Sequence, residues 1–489
     1  MDHASSASDE RWLQHRLDPF IIAVAAVFGL SLLWPVDISW INDQPHLIRN
    51  ALDANARGEL AKSGLLGSVG VRYGPLQTWF YQICLLCTSN LVLISQFKNV
   101  LLFALDFAVL LAIARELNLN RWPILILFVS PSAYFVRRAI WDAGFMVAGI
   151  AALALVLLWM GRRPTVKIAY VGLALTVVLF ALHVKCFAVI AAFLICFGIA
   201  CRSWLREHYL KVLPGVICAA GFALWYTHFL AADIEYSSVY RTGIVQTLAG
   251  LFGGPRLFSV LGQQAILPHE MNSTAFLLPP FVTTVLRWCT GLSFVGVYLG
   301  AAIGLYRVWS LRRCGQALEP QDWVTVFCVL TIVFYGVFFV ATGHGYFAHY
   351  TWAIWIAHFM LLWQCLAVLP VRVWRACLGI HLGSLSVLLI AIILFIHING
   401  GTRGPYYGAT LANQIEVAQR LSKYSSESQL IVQVKNYQHF FHALTTLVSL
   451  YQVPTDEAKP IARLMLDYAN PDDPVSGWIT LIELPPEPD

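Results

Sequence analysis

Several small groups of polar residues interrupt a chain that is otherwise strongly apolar. Asp43 stands in "DISWINDQPHLIRN", just after the first apolar run. Arg137, Arg138 and Asp142 share "YFVRRAIWDAGF", and His183 and Lys185 share "FALHVKCFA". His344, Tyr346, His349 and Tyr350 lie in "GHGYFAHYTW", and Arg72 with Tyr73 in "GVRYGPLQ". Carboxylates at a membrane edge are candidates for general base or metal ligand. Arg72, Arg137, Arg138 and Lys185 are suited to holding a phosphate through charge-assisted hydrogen bonds. The same basic side chains would also hold an anionic lipid headgroup without any chemistry.

The elements that must position these residues are membrane helices. Hydrophobic residues make up 58% of the 489 residues and charged residues 12%, about half the charged share of a soluble domain. Apolar runs at 20–36, 98–114, 122–136, 143–160, 166–182, 184–200, 212–230, 281–306, 323–341, 350–369 and 376–397 predict about eleven transmembrane helices. The stretch 76–95 is ambiguous between a span and an interfacial segment. Placing it in the interface puts "RWLQHR", "RELNLNR", "GRRPTVK", "CRSWLREHYLK", "YRVWSLRRCG" and "PVRVWRAC" all on one side. The positive-inside rule makes that side cytoplasmic.

This orientation gives a cytoplasmic tail at 1–19, a membrane domain at 20–397 and an extracytoplasmic domain at 398–489. External loops are expected at 37–97 and 231–280, and every polar group named above then faces outward. Leu47, Ile48, Ala51, Leu52 and Ala56 recur at helical spacing, which predicts an interfacial helix lying on the bilayer by its apolar underside. In the tail, "TLANQIEVAQRLSKY" has helical periodicity, whereas "QLIVQV" and "WITLIEL" read as short strands. The expected fold class is an α-helical polytopic membrane protein with a small C-terminal α/β domain outside the membrane.

Some function classes lose their support. The net charge of +5 sits mainly in short loops and acts as an orientation signal, so no nucleic-acid partner is expected. The chain carries no phosphate-binding P-loop, no dinucleotide fingerprint and no H-E-x-x-H zinc motif. Cys84 and Cys87 form C-x-x-C without a second pair, and eleven cysteines lie mostly within apolar runs or beside basic loops. Helix packing explains them better than zinc or redox chemistry.

Taken together these motifs resemble the GT-C membrane glycosyltransferases. Asn42-Asp43 after the first span, followed by an amphipathic helix, is similar to that family's first acidic motif. "VRYGPLQTWFYQ" is similar to its basic-x-Pro-Pro stretch, and "SPSAYFVRRAIWDAGFM" to its second acidic motif. "LHVKCFAVIAAFL" and "GTRGPYYGATLANQIEVAQRL" resemble its His-containing membrane motif and the lead-in to its extracytoplasmic tail. The closest branch by pattern is the bacterial one of aminoarabinose, galacturonic acid and protein O-mannosyl transferases. Gln44 stands where that family often has Glu, and Pro75 where it often has two prolines.

The resemblance implies sugar transfer from a polyprenyl-phosphate donor to a lipid, glycan or protein acceptor, outside a bacterial inner membrane, with inversion. Asp43 would act as general base, with Asp142 orienting the acceptor or sharing a divalent metal, Mg or Mn, with Asp43. Arg72, Arg137, Arg138 and Lys185 would hold the donor phosphate. Tyr73, His183, His344, Tyr346, His349 and Tyr350 would line the substrate site. A transporter or flippase of a lipid-linked sugar, or a polysaccharide polymerase, would share many of these features. Neither a folded tail nor a carboxylate on an external loop is required of a transporter.

Overall fold

Each membrane helix begins and ends where local chemistry dictates. The structure, a computed structural model, describes residues 18–40, 43–65, 72–141, 143–231, 244–245, 276–342, 352–402, 408–427, 429–435, 446–447, 450, 461–468 and 479–484. Helix α1 (Pro19–Leu32) starts with proline at its first position, and the Asp18 carboxylate accepts from the Phe20 amide at 3.0 Å. The amphipathic α2 (Asp43–Ala56) follows. The ambiguous stretch 76–95 divides between two helices, α3 (Leu76–Cys87) and α4 (Leu91–Glu116). The reason lies in "TSN": the Asn90 side chain accepts from the amides of Val92 and Leu93 at 3.0 and 3.2 Å and so caps a new helix.

The expected span 122–136 is also two helices, α5 (Ile124–Val129) and α6 (Pro131–Arg138). Pro131 cannot continue α5 because it lacks an N–H and its ring clashes with the preceding turn. Both pieces are buried throughout, the setting in which a broken helix is tolerated at membrane depth. The chain continues through α7 (Met146–Arg162), α8 (Val166–Leu182), α9 (Phe187–Ala200) and α10 (Arg202–Ala231). Beyond these lie α11 (Pro280–Arg313), α12 (Pro320–Thr342), α13 (Trp352–Val368) and α14 (Val371–Asn399).

Among the described residues, five helices are long and apolar enough to cross a membrane: α4, α10, α11, α12 and α14. Five shorter apolar helices, α1, α7, α8, α9 and α13, accompany them. The chain is an integral membrane protein. Helix α13 lies at the centre of the packing, with Trp352, Trp355 and Trp363 fully buried. Gly300 of α11 lets the two helices approach closely, since a side chain there would run into the Leu361 carbonyl.

The chain leaving α1 meets the chain leaving α14. Ser39 pairs with Thr410 in an antiparallel bridge. Leu411 and Ala412 donate to the carbonyls of Ile38 and Val36 at 2.8 and 3.2 Å, and the buried Gln414 amide donates to Trp40 at 2.8 Å. The tail adds α15 (Leu411–Glu427) and a three-stranded sheet in the order β1 (Gln429–Lys435), β2 (Ile461–Tyr468), β3 (Ile479–Leu484). Strands β1 and β2 run parallel, β2 and β3 antiparallel.

These tail contacts change the expectation for α2. Leu47, Ile48 and Ala51 are fully buried in a small core with Ile38, Trp40, Tyr81, Leu91, Leu411 and Ala418. Its apolar stripe is therefore covered by α3 and the tail, and does not lie bare on the bilayer.

Candidate active site

Asp43 occupies the first turn of α2, where the unpaired amides of a helix start favour a carboxylate. It is half-buried, and the indole N–H of Trp141 donates to its Oδ2 at 3.1 Å. Burial raises the Asp43 pKa above its ordinary value, while the indole hydrogen bond and the charges of Lys185 and His46 hold it partly down.

Lys185 links Asp43 to a second pair of residues. Helix α8 ends at His183, whose extended backbone opens a single 3-10 turn, Val184–Cys186, before α9 begins. The His183 ring lies against Tyr73 with centroids 3.8 Å apart, and its Nδ1 accepts from the Lys185 amide at 3.1 Å. The Lys185 ammonium stands 5.7 Å from the Tyr73 ring centre. Tyr73, His183 and Lys185 are all buried.

The loop bearing Arg72 and Tyr73 reaches this turn because of Gly74. A side chain at Gly74 would run into the Ala181 carbonyl at the end of α8. The Gln77 amide donates to the neighbouring Leu182 carbonyl and fastens the same junction. The Tyr73 amide and carbonyl pair with Leu65 and Gly64 at 2.7 and 2.8 Å. Arg72, the next residue, is half-buried.

The structure thus gathers Asp43, Tyr73, His183 and Lys185, with Arg72 beside Tyr73. It gives Arg137 and Arg138 other partners. Arg137 is buried against Asp106 of α4 at 3.8 Å and lies over the Phe128 ring at 4.6 Å. Arg138 donates to the carbonyls of Leu33 and Trp34 at 2.9 and 2.5 Å and to the Tyr134 hydroxyl. Both guanidinium groups are engaged in packing, Arg138 by holding the frayed end of α1. Asp142, His344, Tyr346, His349 and Tyr350 lie outside the described residues.

Sequence reasoning missed Trp141, although it stands beside Asp142 in the motif quoted above. It also missed Lys98 and Ser95, buried on α4. Lys98 donates to the carbonyls of Val136 and Ala139, the former at 3.3 Å, and Ser95 to Arg138 at 2.5 Å. The orphan carbonyls ending α6 are thereby capped, just before the turn that presents Trp141. An ammonium within an apolar run was the available signal.

Asp37, the nearest alternative acid, is committed elsewhere. Its Oδ2 lies 2.7 Å from His397 Nδ1, and the His397 ring stacks on Trp34 at 4.0 Å. No group of three His, Cys, Asp or Glu able to hold a metal occurs among the described residues. The described groups acting on Asp43 are an N–H donor and cationic side chains, and Asp142, expected to share a metal with it, lies outside the described residues.

Two solved structures share this fold. The crystal structure of ArnT from Cupriavidus metallidurans bound to undecaprenyl phosphate matches with a TM-score of 0.53 at 12% identity, over 92% of this chain and 93% of that one. Its apo-state crystal structure matches with a TM-score of 0.54, also at 12% identity, over 91% and 93%. No protein-family profile and no curated protein matches the chain. The α-helical polytopic fold expected from the sequence is the one that these two structures share.

Proposed function

We propose that the chain is a membrane glycosyltransferase that moves a sugar from a polyprenyl-phosphate donor to a lipid, glycan or protein hydroxyl on the extracytoplasmic side. The observation that carries this reading is Asp43, held by Trp141 and within electrostatic reach of Lys185, whose turn packs the Tyr73–His183 pair. The solved structure of the same fold that holds undecaprenyl phosphate supports the donor class.

Asp43 accepts the proton of the acceptor hydroxyl as the oxygen attacks the anomeric carbon. The bond from that carbon to the donor phosphate oxygen breaks, and polyprenyl phosphate departs with the electron pair. Lys185 and Arg72 balance the charge that grows on the phosphate. A single displacement inverts the anomeric configuration.

The pairing of residues 36–40 with 410–414 puts the segment before the site and the start of the tail on one face. This supports an arrangement in which α15 and the sheet form a small α/β domain on the extracytoplasmic side. The test is transfer from synthetic polyprenyl-phosphate sugars by purified protein in nanodiscs. Transfer that disappears in Asp43→Asn supports the proposal. Movement of the lipid-linked sugar between leaflets with no transfer would replace it with a flippase.

A further inference from the structure

Helix α9 begins at Phe187, two residues after Lys185, and ends at Ala200. Its 14 residues span about 21 Å at 1.5 Å per residue, so its far end is well removed from the candidate active site. There, a cleft of about 490 Å³ is lined by Gly198, Arg202, Leu205, Arg206 and Tyr209.

The electrostatics of the cleft are one-sided. Arg202 and Arg206 are exposed and one helical turn apart on α10, where like charges repel. Among the described residues no carboxylate lines the cleft. Neither arginine forms an ion pair or side-chain hydrogen bond among the described residues. The planar guanidinium fork matches a phosphate oxygen pair.

The surroundings specify where the phosphate comes from. The apolar run of α9 stops at the cleft, and an exposed apolar face of α10 starts beside it with Leu210, Leu213 and Ile217. Tyr209 stands at that boundary, exposed, as aromatic residues do at headgroup level. At Gly198 no atom lies within 4 Å of where a side chain would begin, which leaves the mouth open. The cleft thus sits at the level of headgroups, with a greasy surface running from it into the bilayer.

We propose that this cleft between α9 and α10 is a binding site for the phosphate headgroup of an anionic phospholipid, its acyl chains lying along the exposed face of α10. The basic-loop orientation puts the lipid in the cytoplasmic leaflet, opposite the leaflet that serves the candidate active site.

The experiment is native mass spectrometry of the full-length protein with phosphatidylglycerol and phosphatidylcholine in competition. The wild type retains phosphatidylglycerol preferentially. Arg202→Gln/Arg206→Gln lowers that preference by roughly tenfold or more, the effect of losing one charge-assisted hydrogen bond. A control, Arg372→Gln/Arg375→Gln, removes two exposed arginines at the start of α14 and leaves the preference in place. An equal loss in the control would reduce the effect to general surface charge and overturn the site. Displacement by millimolar inorganic phosphate would overturn the lipid as its occupant. Arg202→Lys/Arg206→Lys, with charge kept, retains part of the preference, so a fold defect is distinguished from a lost contact. The readout needs no sugar transfer, and its outcome is independent of the proposed activity.

Discussion

The indole N–H of Trp141 points at Oδ2 of Asp43 from 3.1 Å, across nearly a hundred residues of chain. One carboxylate oxygen is thereby fixed. In the proposed reaction Trp141 would be a positioning residue, and the turn that carries it is braced by Lys98 and Ser95 from α4.

Replacing the carboxylate tests the base directly. Asp43→Asn preserves shape but cannot accept the acceptor proton, so single-turnover transfer should fall by at least ~10²-fold with the melting temperature little changed. Near-normal transfer by the folded variant would remove Asp43 from the chemistry. Asp37→Asn is the informative contrast. It weakens the contact with His397 and should register mainly in thermal stability.

The pH profile tests the indole. Only the ionised carboxylate is a base, so transfer declines as pH falls through the Asp43 pKa. Burial already raises that pKa, and the indole hydrogen bond lowers it. In Trp141→Phe the lowering contact is gone, the pKa rises further, and the acid limb moves to higher pH. An unshifted acid limb in an active variant would mean that the contact has no bearing on the base.

Arg72 and Arg137 should fail in different ways. Arg72→Ala should weaken donor binding roughly ten- to hundredfold with folding intact, one charge-assisted contact being worth about 1.5–3 kcal/mol. Arg137→Met leaves Asp106 buried without its partner, which should cost about 3–5 kcal/mol of stability. Arg137→Met/Asp106→Leu, an apolar replacement of both partners, should recover most of it. A stable Arg137→Met protein with impaired donor binding would return Arg137 to the phosphate site.

Labelling tests the sidedness. Lys62 and Gln419 are exposed, in the loop before α3 and on α15. Cysteines at both positions, in a background lacking reactive native thiols, should react with an impermeant reagent added from outside. Reaction at one position alone is incompatible with the Ser39–Thr410 pairing.

Local pattern made the membrane helices legible, because a long apolar run has few structures open to it in lipid. Asp43 and the His183–Lys185 turn became candidates for the same reason: polar groups at the ends of such runs stand out. What pattern could not reveal was pairing over distance. Arg137 and Arg138 have the composition of a phosphate site, and only packing shows that Asp106 and the end of α1 occupy them. The stripe on α2 was correctly apolar, but its cover comes from α3 and from residues more than 350 positions later. Trp141 carries no local signal of its role because its partner lies 98 residues away.

The shared core of Leu47 and Ile48 with Leu411 and Ala418 has a consequence for biosynthesis. The helix carrying Asp43 emerges from the ribosome early, yet the surface that seats it is translated only after the last membrane helix. Until then the apolar stripe of α2 lacks part of its cover. A chain stalled before Leu411 inserts its helices without a finished site. The seat of α2 is therefore complete only once the residues from Leu411 onward have been made.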